Sequence, residues 1–426
     1  MSRKVLASLS SIPAQGKVLQ RSEWAEYVVE DLLSVPLISE FVFRSPRMIG
    51  GRKKEEEVAD FLLLQDESGI LIQQKTQDKD DRTSPKVELW ARKQAKKAWD
   101  QLRRAFTRPK DQPVWCDHPR LGRKEFPQGL PSIQHGLVIV DVLQVVNLQP
   151  DADELPLDFA GVPISYLSVN DFLNLVVNLR TIPELLEYLA ARRMLVPADL
   201  RVIGDEKTLL DLYLLNQGSF NSCLSRADAR IVVAAQQERL QDALARKRDS
   251  DVYAGLIEYV ADALATRHES FQKGLPPELL AAYDPPDQRK NYLAMQAALS
   301  GLRLRERAVL GRALSDAAAR LTDQTEGFFF LSARFDSKPD WVYILGSSKG
   351  LDRTVVISRV EYHLLPGALA FYGKKKCLVV IDRDGVSYEV ALSKPGVEPT
   401  PSHLAEGRRL YGHLRIASAP LQLVPE

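Results

Sequence analysis

Two spacings of apolar residues alternate along the first half of this chain. One is helical, with positions recurring every three to four residues; the other is the short continuous or alternating run of a strand. Ser22 is an N-cap for a helix over Glu23 to Leu33, whose stripe is Trp24, Val28, Val29, Leu32 and Leu33. Glu26 and Glu30 lie one turn apart beside that stripe, and Pro36 ends the helix. Residues 1–20 ahead of it read as loosely ordered. Glu40 to Phe43 is a short strand, and Arg44 to Glu57 a polar loop rich in Arg, Lys and Gly. Val58 to Leu64 is apolar except for Asp60, and Ile70 to Ile72 is apolar before the polarity changes at Gln73, Gln74 and Lys75. Between the two runs, Gln65-Asp66-Glu67-Ser68-Gly69 is turn chemistry, with Gly69 available for a positive φ. The pair predicts a hairpin. A loop over Asp66 to Gly69 puts Asp60 opposite Lys75; one starting at Gln65 puts it opposite Gln74 and turns Lys75 to the other face.

A strong helix follows over Val87 to Phe106. Its stripe is Ala91, Ala95, Ala98, Leu102 and Ala105, narrow enough for close packing on a sheet, and Lys and Arg cover the rest. Arg108 to Gly129 reads as an irregular loop, in which Trp115-Cys116-Asp117-His118 is taken as structural. Gly136 to Gln144 is a buried strand of a mixed or parallel sheet and carries a second acid, Asp141. Val162 to Val169 is another strand, Asn170-Asp171 caps a helix to Leu179, and Pro183 starts a helix to Arg193. Helices are then predicted at 206–216, 226–248, 251–271, 276–283 and 290–322. A smaller α/β unit closes the chain. It has strands over Phe328–Phe335 and Trp341–Ser347, a helix in the second half of Val355–Tyr372, a hairpin over 376–392 turning at Asp384-Gly385, and a peripheral tail from Ser393. No internal repeat is evident.

The 426 residues suffice for two or three domains, and 45% hydrophobic with 27% charged residues is the composition of a soluble globular protein. A net charge of +1 provides no global field for nucleic acid and leaves only local patches. Three scattered cysteines without a CxxC argue for a reducing compartment and against a disulfide framework or structural zinc, and the six histidines form no ligand pair. The N-terminal residues lack a signal-peptide core and no run approaches a membrane span, so a cytoplasmic protein is expected.

The candidate chemistry lies in the central hairpin. An acid inside an apolar strand is costly unless it is paired or binds a metal. Asp60 and the Gln73 amide are hard oxygen ligands suited to Mg²⁺, and Lys75 can stabilise a developing phosphorane charge or orient a water. The plainer reading is an exposed strand end with Asp60 and Lys75 as a cross-strand ion pair, just as a charged helix is most simply a solvated face.

The order of helix 22–33, the Asp60 to Gln73-x-Lys75 hairpin and helix 87–106 resembles the PD-(D/E)xK, restriction-endonuclease-like nucleases, closest to Mrr-type and nuclease-related (NERD-like) domains. The resemblance covers about residues 20–195 and implies a mixed sheet flanked by helices. It assigns Asp60 as the metal aspartate, Gln73 as the E/Q position, Lys75 as the lysine, and Glu26 as the helix glutamate with Glu30 second. Lys93, Gln94 and Lys97 carry over as nucleic-acid contacts, with Arg52 and Lys53 from the basic loop. Gln73 in place of Glu removes one charge from the site, a variation found among Mrr-like members.

The expected organisation is a loose N-terminus (1–20), a nuclease-like α/β domain (21–195), a mainly helical region (196–322) and a small α/β domain (323–426). The expected activity is Mg²⁺- or Mn²⁺-dependent hydrolysis of nucleic acid, DNA favoured, of the kind seen in bacterial defence and DNA processing. The C-terminal half would then bind a protein partner or form a homodimer. The alternatives are a catalytically inactive binder of nucleic acid or protein on the same fold, and a purely structural interaction protein without an acid cluster on its sheet.

Overall fold

The computed structural model describes residues 26, 29, 33, 41–49, 54–65, 68–77, 84–107, 112–118, 122–130, 132–142, 155–195, 205–220, 229–267, 286–385, 387–393, 399–413 and 416–417. Glu26, Val29 and Leu33 are helical, and Val29 and Leu33 are buried, as the stripe predicts. The rest of that helix, with Glu30, lies outside the described residues, as do Arg52, Lys53 and the helix expected at 276–283.

A nine-stranded mixed sheet organises the first half. Its first strands are β1 (Val42–Ile49), β2 (Glu55–Glu57), β3 (Phe61–Gln65) and β4 (Ser68–Thr76). Helix α1 (Ser84–Thr107) follows, then β5 (Val114–His118), β6 (Gly122–Phe126), β7 (Ile133–Asp141), β8 (Asp158–Phe159) and β9 (Val162–Ser168). The order across the sheet is β6-β5-β1-β3-β4-β7-β9-β8, with β2 beside β1. β3 runs antiparallel to both β1 and β4, whereas β7 and β9 continue from β4 in parallel. Two stretches expected to be loops are therefore strands. Arg44–Ile49 extends β1, and β5 and β6 pair at the sheet edge, where Asp117, Arg123, Lys124 and Glu125 suit strands with one solvated side.

Helices cover both faces. On one, Ala91, Ala95, Ala98, Leu102 and Ala105 of α1 are buried against Leu62, Leu64, Leu71, Val138 and Val140, so the small-residue stripe lies tight on the sheet as expected. On the other, α2 (Val169–Leu179), α3 (Ile182–Arg193) and α4 (Glu206–Leu215) pack with Val29 and Leu33 over Phe61, Leu63, Ile70, Ile72, Leu137 and Ile139. α2 is capped by Ser168, with Asp171 completing a capping box, rather than by Asn170-Asp171. Thr181 caps α3, with Pro183 in its first turn. A buried ion pair ties α3 to α4: Arg192 donates to Glu206 at 2.8 Å, and the Tyr188 hydroxyl donates to the same carboxylate at 2.6 Å.

Beyond α5 (Ala229–Ala235), the helix α6 (Gln237–Arg267) runs unbroken where two helices were expected. α7 (Pro286–Ser300) and α8 (Leu304–Ala319) divide the expected 290–322 helix near Gly301. Leu240 of α6 joins the first core, while Ile257, Val260 and Ala261 join the core under the second sheet. The two halves are clamped by Arg180 on Glu258 at 3.0 Å and by Arg303 on Glu187 at 2.7 Å.

The second sheet is five-stranded, in the order β13-β12-β11-β10-β14. β10 (Gly327–Ala333) and β11 (Trp341–Lys349) form an antiparallel pair. A helical segment, α9 (Arg353–Arg359) and α10 (Leu365–Tyr372) joined by a π turn, crosses to β12 (Lys376–Arg383), which lies parallel to β11. Helix was expected only in the second half of this segment. Asp384 and Gly385 both have positive φ and connect β12 to β13 (Ser387–Leu392) in the expected turn. The tail contributes α11 (Pro401–Tyr411) and the two-residue β14 (Ile416–Ala417).

The order antiparallel hairpin, helix, parallel strand thus occurs twice, as β3-β4-α1-β7 and as β10-β11-α9-α10-β12. In each case the crossover helix covers one face of the three strands and helices from elsewhere cover the other. This recurrence was not evident in the sequence. On the face under its crossover helix, β4 carries Leu71, Gln73 and Lys75. The corresponding face of β11 carries Val342 and Ile344, and alternation adds Gly346 and Ser348.

Candidate functional site

The register of the central hairpin decides which side chains can meet. Gln65 pairs with Ser68 and Phe61 with Ile72, so continuing the ladder sets Asp60 opposite Gln73. Both expected registers are corrected: the partner is neither Lys75 nor Gln74. The reason is that only two residues separate the paired ends, and Gly69 is a strand residue, not a turn residue. A Cβ on Gly69 would lie 2.8 Å from Ile133 Cδ1, so the glycine permits close packing of β4 on β7.

Asp60 stands where the chain enters β3. There β1 and its partner fall out of step: Ser45 adopts a positive φ of 45°, its N–H donates to the Asp60 carbonyl at 2.9 Å, and Val58 N–H donates to the Pro46 carbonyl at 2.7 Å. Arg47 pairs with Glu57 and Arg44 with Phe61, leaving three residues facing two. Such a bulge re-aims side chains beside it.

Alternation places Asp60 with Leu62 and Leu64, and Gln73 and Lys75 with Leu71, all on the α1 face. The Asp60 Oδ2 accepts from Gln73 Nε2 at 2.6 Å and from the Gln74 N–H at 2.5 Å, while Lys75 Nζ donates to the Gln74 carbonyl at 2.9 Å. Gln73 is only 3% exposed. Burial pushes the Asp60 carboxyl up to about 6; Lys75 and the Gln74 N–H oppose the rise, and Glu57 and Glu26 add to it. Burial holds the Lys75 ammonium below its ordinary value, with Asp60 opposing and Lys97 adding to the effect. Burial thus disfavours the charged form of both groups in one cluster, a pattern common at functional sites.

Of the residues chosen from sequence, Asp60 and Gln73 therefore meet; Lys75 acts on Asp60 electrostatically but bonds the Gln74 carbonyl, so the cross-strand Asp60–Lys75 ion pair of the plainer reading does not form. Glu26 and Lys97 stand close enough to act on them electrostatically, although Glu26 also pairs with Arg44 at 3.0 Å. Lys93 and Gln94 lie nearer the N-terminus of α1, exposed and half-buried respectively, and no contact ties them to the cluster. Asp141 alternates onto the opposite face of β7 from Val138 and Val140 and is not part of the site.

Sequence reasoning missed Glu57, Gln101 and Arg104. With Gln73, Met48, Glu56, Val58, Ala59 and Ala105 they line a cleft of about 280 Å³ between β2 and α1. Glu57 is hidden in a run of three glutamates. Gln101 and Arg104 follow Lys97 at helical spacing along one flank of the alanine stripe, a periodicity that could have found them. Arg104 makes no ion pair among the described residues, whereas Arg92 and Arg103 on the same helix pair with Glu88 and Asp100.

A hard cation would find one carboxylate at Asp60; Gln73 turns its Nε2 toward that carboxylate and would have to flip its amide to offer an oxygen beside it. Among the described residues, no three His, Cys, Asp or Glu side chains gather into a metal centre, and no helix is long and apolar enough to cross a membrane. No protein-family model matches the chain, and neither a curated protein nor a solved structure matches it significantly.

Proposed function

We propose that this protein is a Mg²⁺-dependent nuclease acting on DNA, with Asp60, Gln73 and Lys75 at its centre. The observation that supports this best is a desolvated aspartate at a strand irregularity, bonded to Gln73 and coupled to Lys75 on one sheet face. The donor set suits Mg²⁺, which is held by one or two carboxylates and otherwise by water and substrate phosphate. Asp60 and Gln73 would hold the ion, with Glu57 or Glu26 as a further acid. Bound there, Mg²⁺ would supply charge neutralisation at the phosphodiester. Lys75, with its ammonium destabilised by burial, holds or releases a proton beside the attacked phosphate. Lys97 and Arg104 hold the backbone through its phosphates without reading bases.

A second reading is a catalytically inactive protein of the same architecture that binds nucleic acid or a protein partner. It is favoured by the Gln73 amide standing where a second carboxylate would add charge, and by the lack of a three-acid group among the described residues. Cleavage of plasmid, linear and single-stranded DNA and of RNA, with Mg²⁺ or Mn²⁺, separates the two. The nuclease reading expects cutting that falls by about 10²–10³-fold in Asp60→Ala and in Lys75→Ala. Retention of full cutting in both variants, or no cutting by the folded wild type, would reject it.

A further inference from the structure

The two sheets end in edges of different kinds. An edge strand presents a row of backbone N–H and C=O groups to its surroundings, and proteins blunt it with charge, brevity or bulges. β6 carries Arg123, Lys124 and Glu125, β2 is three glutamates, and β8 and β14 are two residues long. β13 is built otherwise. It runs for six residues, Ser387–Leu392, without Lys, Arg or Pro, and its ladder with β12 keeps one register throughout. Its one charge, Glu389, is answered within the chain by Arg353 at 2.7 Å and by Arg383 at 3.3 Å. Each of the six residues is only partly buried, and no described strand lies outside them.

The alternation of β13 fixes what can pair there. The Ser393 N–H donates to the Cys377 carbonyl, so the odd-numbered positions turn their backbone groups toward β12, and Tyr388, Val390 and Leu392 turn theirs outward. The side chains of those three residues share the face that packs on the core under the second sheet, and Ser387, Glu389 and Ala391 alternate onto the other. A second β13 related by a two-fold axis normal to the sheet runs antiparallel and keeps these faces together. Centred on Glu389, such a pairing sets that carboxylate opposite its own copy, which like charge disfavours. Centred on Val390, it sets Val390 opposite Val390, Tyr388 opposite Leu392 and Glu389 opposite Ala391. Apolar side chains then meet on one face, and no like charges oppose on the other. α6 borders the same edge: Tyr259 meets the Tyr388 ring edge on at 6.3 Å, and Val252 and Tyr259, on one helical face, are 72% and 62% exposed.

We propose that the β13 edge binds a second copy of this chain, the two strands pairing antiparallel across a two-fold axis at Val390 and joining two five-stranded sheets into one. The Val390 backbones exchange two hydrogen bonds on the axis, and a Tyr388–Leu392 pair flanks them on each side. The exposed Val252 and Tyr259 of α6 add apolar surface beside the joined strands. This interface is independent of the nuclease reading.

The test uses the full chain and reads its mass by light scattering and sedimentation over about 1–100 µM, where a dimer dissociates by mass action. The wild type is expected to have the mass of two chains at the upper end. Val390→Lys sets two ammonium groups face to face on the axis and should raise the dimer dissociation constant at least about tenfold. Val390→Pro removes an outward N–H without breaking a bond to β12, and should act in the same direction. Circular dichroism checks that each variant is folded, and the two differ enough in chemistry that one serves if the other misfolds. Register is read by cross-linking: under mild oxidation Val390→Cys should form a disulfide-linked dimer, whereas Glu389→Cys, which faces Ala391 of the other copy, should not. A wild type monomeric over the whole range overturns the inference, including one whose edge is filled by a strand of a different protein. So does a dimer that both folded Val390 variants leave unchanged, or cross-linking of Glu389→Cys in preference to Val390→Cys.

Discussion

Asp60→Asn tests whether the cluster holds a desolvated acid. The carboxyl ionises near 3.8 when free and near 6 in the folded chain, because burial outweighs the help from Lys75 and the Gln74 N–H. At about 1.36 kcal/mol per pH unit, that interval corresponds to about 3 kcal/mol against the ionised form. Between the two values the folded state holds a proton that the unfolded state has released. Stability therefore falls as pH rises through this window and stays lowered above it. Asparagine mimics the protonated acid and keeps an oxygen to accept from Gln73 and the Gln74 N–H. The variant should thus gain up to about 3 kcal/mol near pH 8 and little near pH 4, read by urea denaturation at each pH. Millimolar Mg²⁺ should then stabilise the wild type near pH 8 and leave Asp60→Asn unchanged. An asparagine variant no more stable than wild type near pH 8, or equally favoured at both pH values, would refute the desolvation argument.

Gln73→Glu adds a charge to the proposed metal site and should lower the Mg²⁺ concentration needed for half-maximal cleavage by about tenfold; an unchanged or higher requirement would remove Gln73 from the ligand set. Arg192→Met removes the guanidinium from the buried Glu206 carboxylate, and should cost about 3–5 kcal/mol in chemical denaturation. Ala95→Leu forces extra volume between α1 and the sheet, where Ala95 is fully buried, and should cost about 1–3 kcal/mol.

The helices and the buried strands of the first half were legible because their periodicity is uninterrupted, as in the alanine stripe of α1 or the Val-Ile run of β7. What failed depends on contacts distant in sequence. Gly69 reads as a turn glycine, but its missing Cβ serves the contact with Ile133, more than sixty residues away in the chain. β1 is masked by Ser45-Pro46, where a bulge breaks the alternation. The edge hairpin at 114–126 reads as loop because an edge strand carries charge to stay soluble. Asp60, Gln73 and Lys75 were found as a set because an acid is costly in an apolar strand, whereas Glu57 and Arg104, on polar surfaces, carry no such signal. Pairing of Asp60 with Gln73 instead of Lys75 depends on the length of one turn.

The twofold occurrence of hairpin, helix and parallel strand bears on how this chain can change. Where the first unit has Gln73 and Lys75 under its crossover helix, the second has Gly346 and Ser348. A Cβ on Gly346 would lie 2.7 Å from the Phe329 carbonyl oxygen, a backbone atom that cannot give way, so that position is closed to any larger side chain. The same face therefore presents hydrogen-bonding side chains in the first unit and is limited by steric fit in the second.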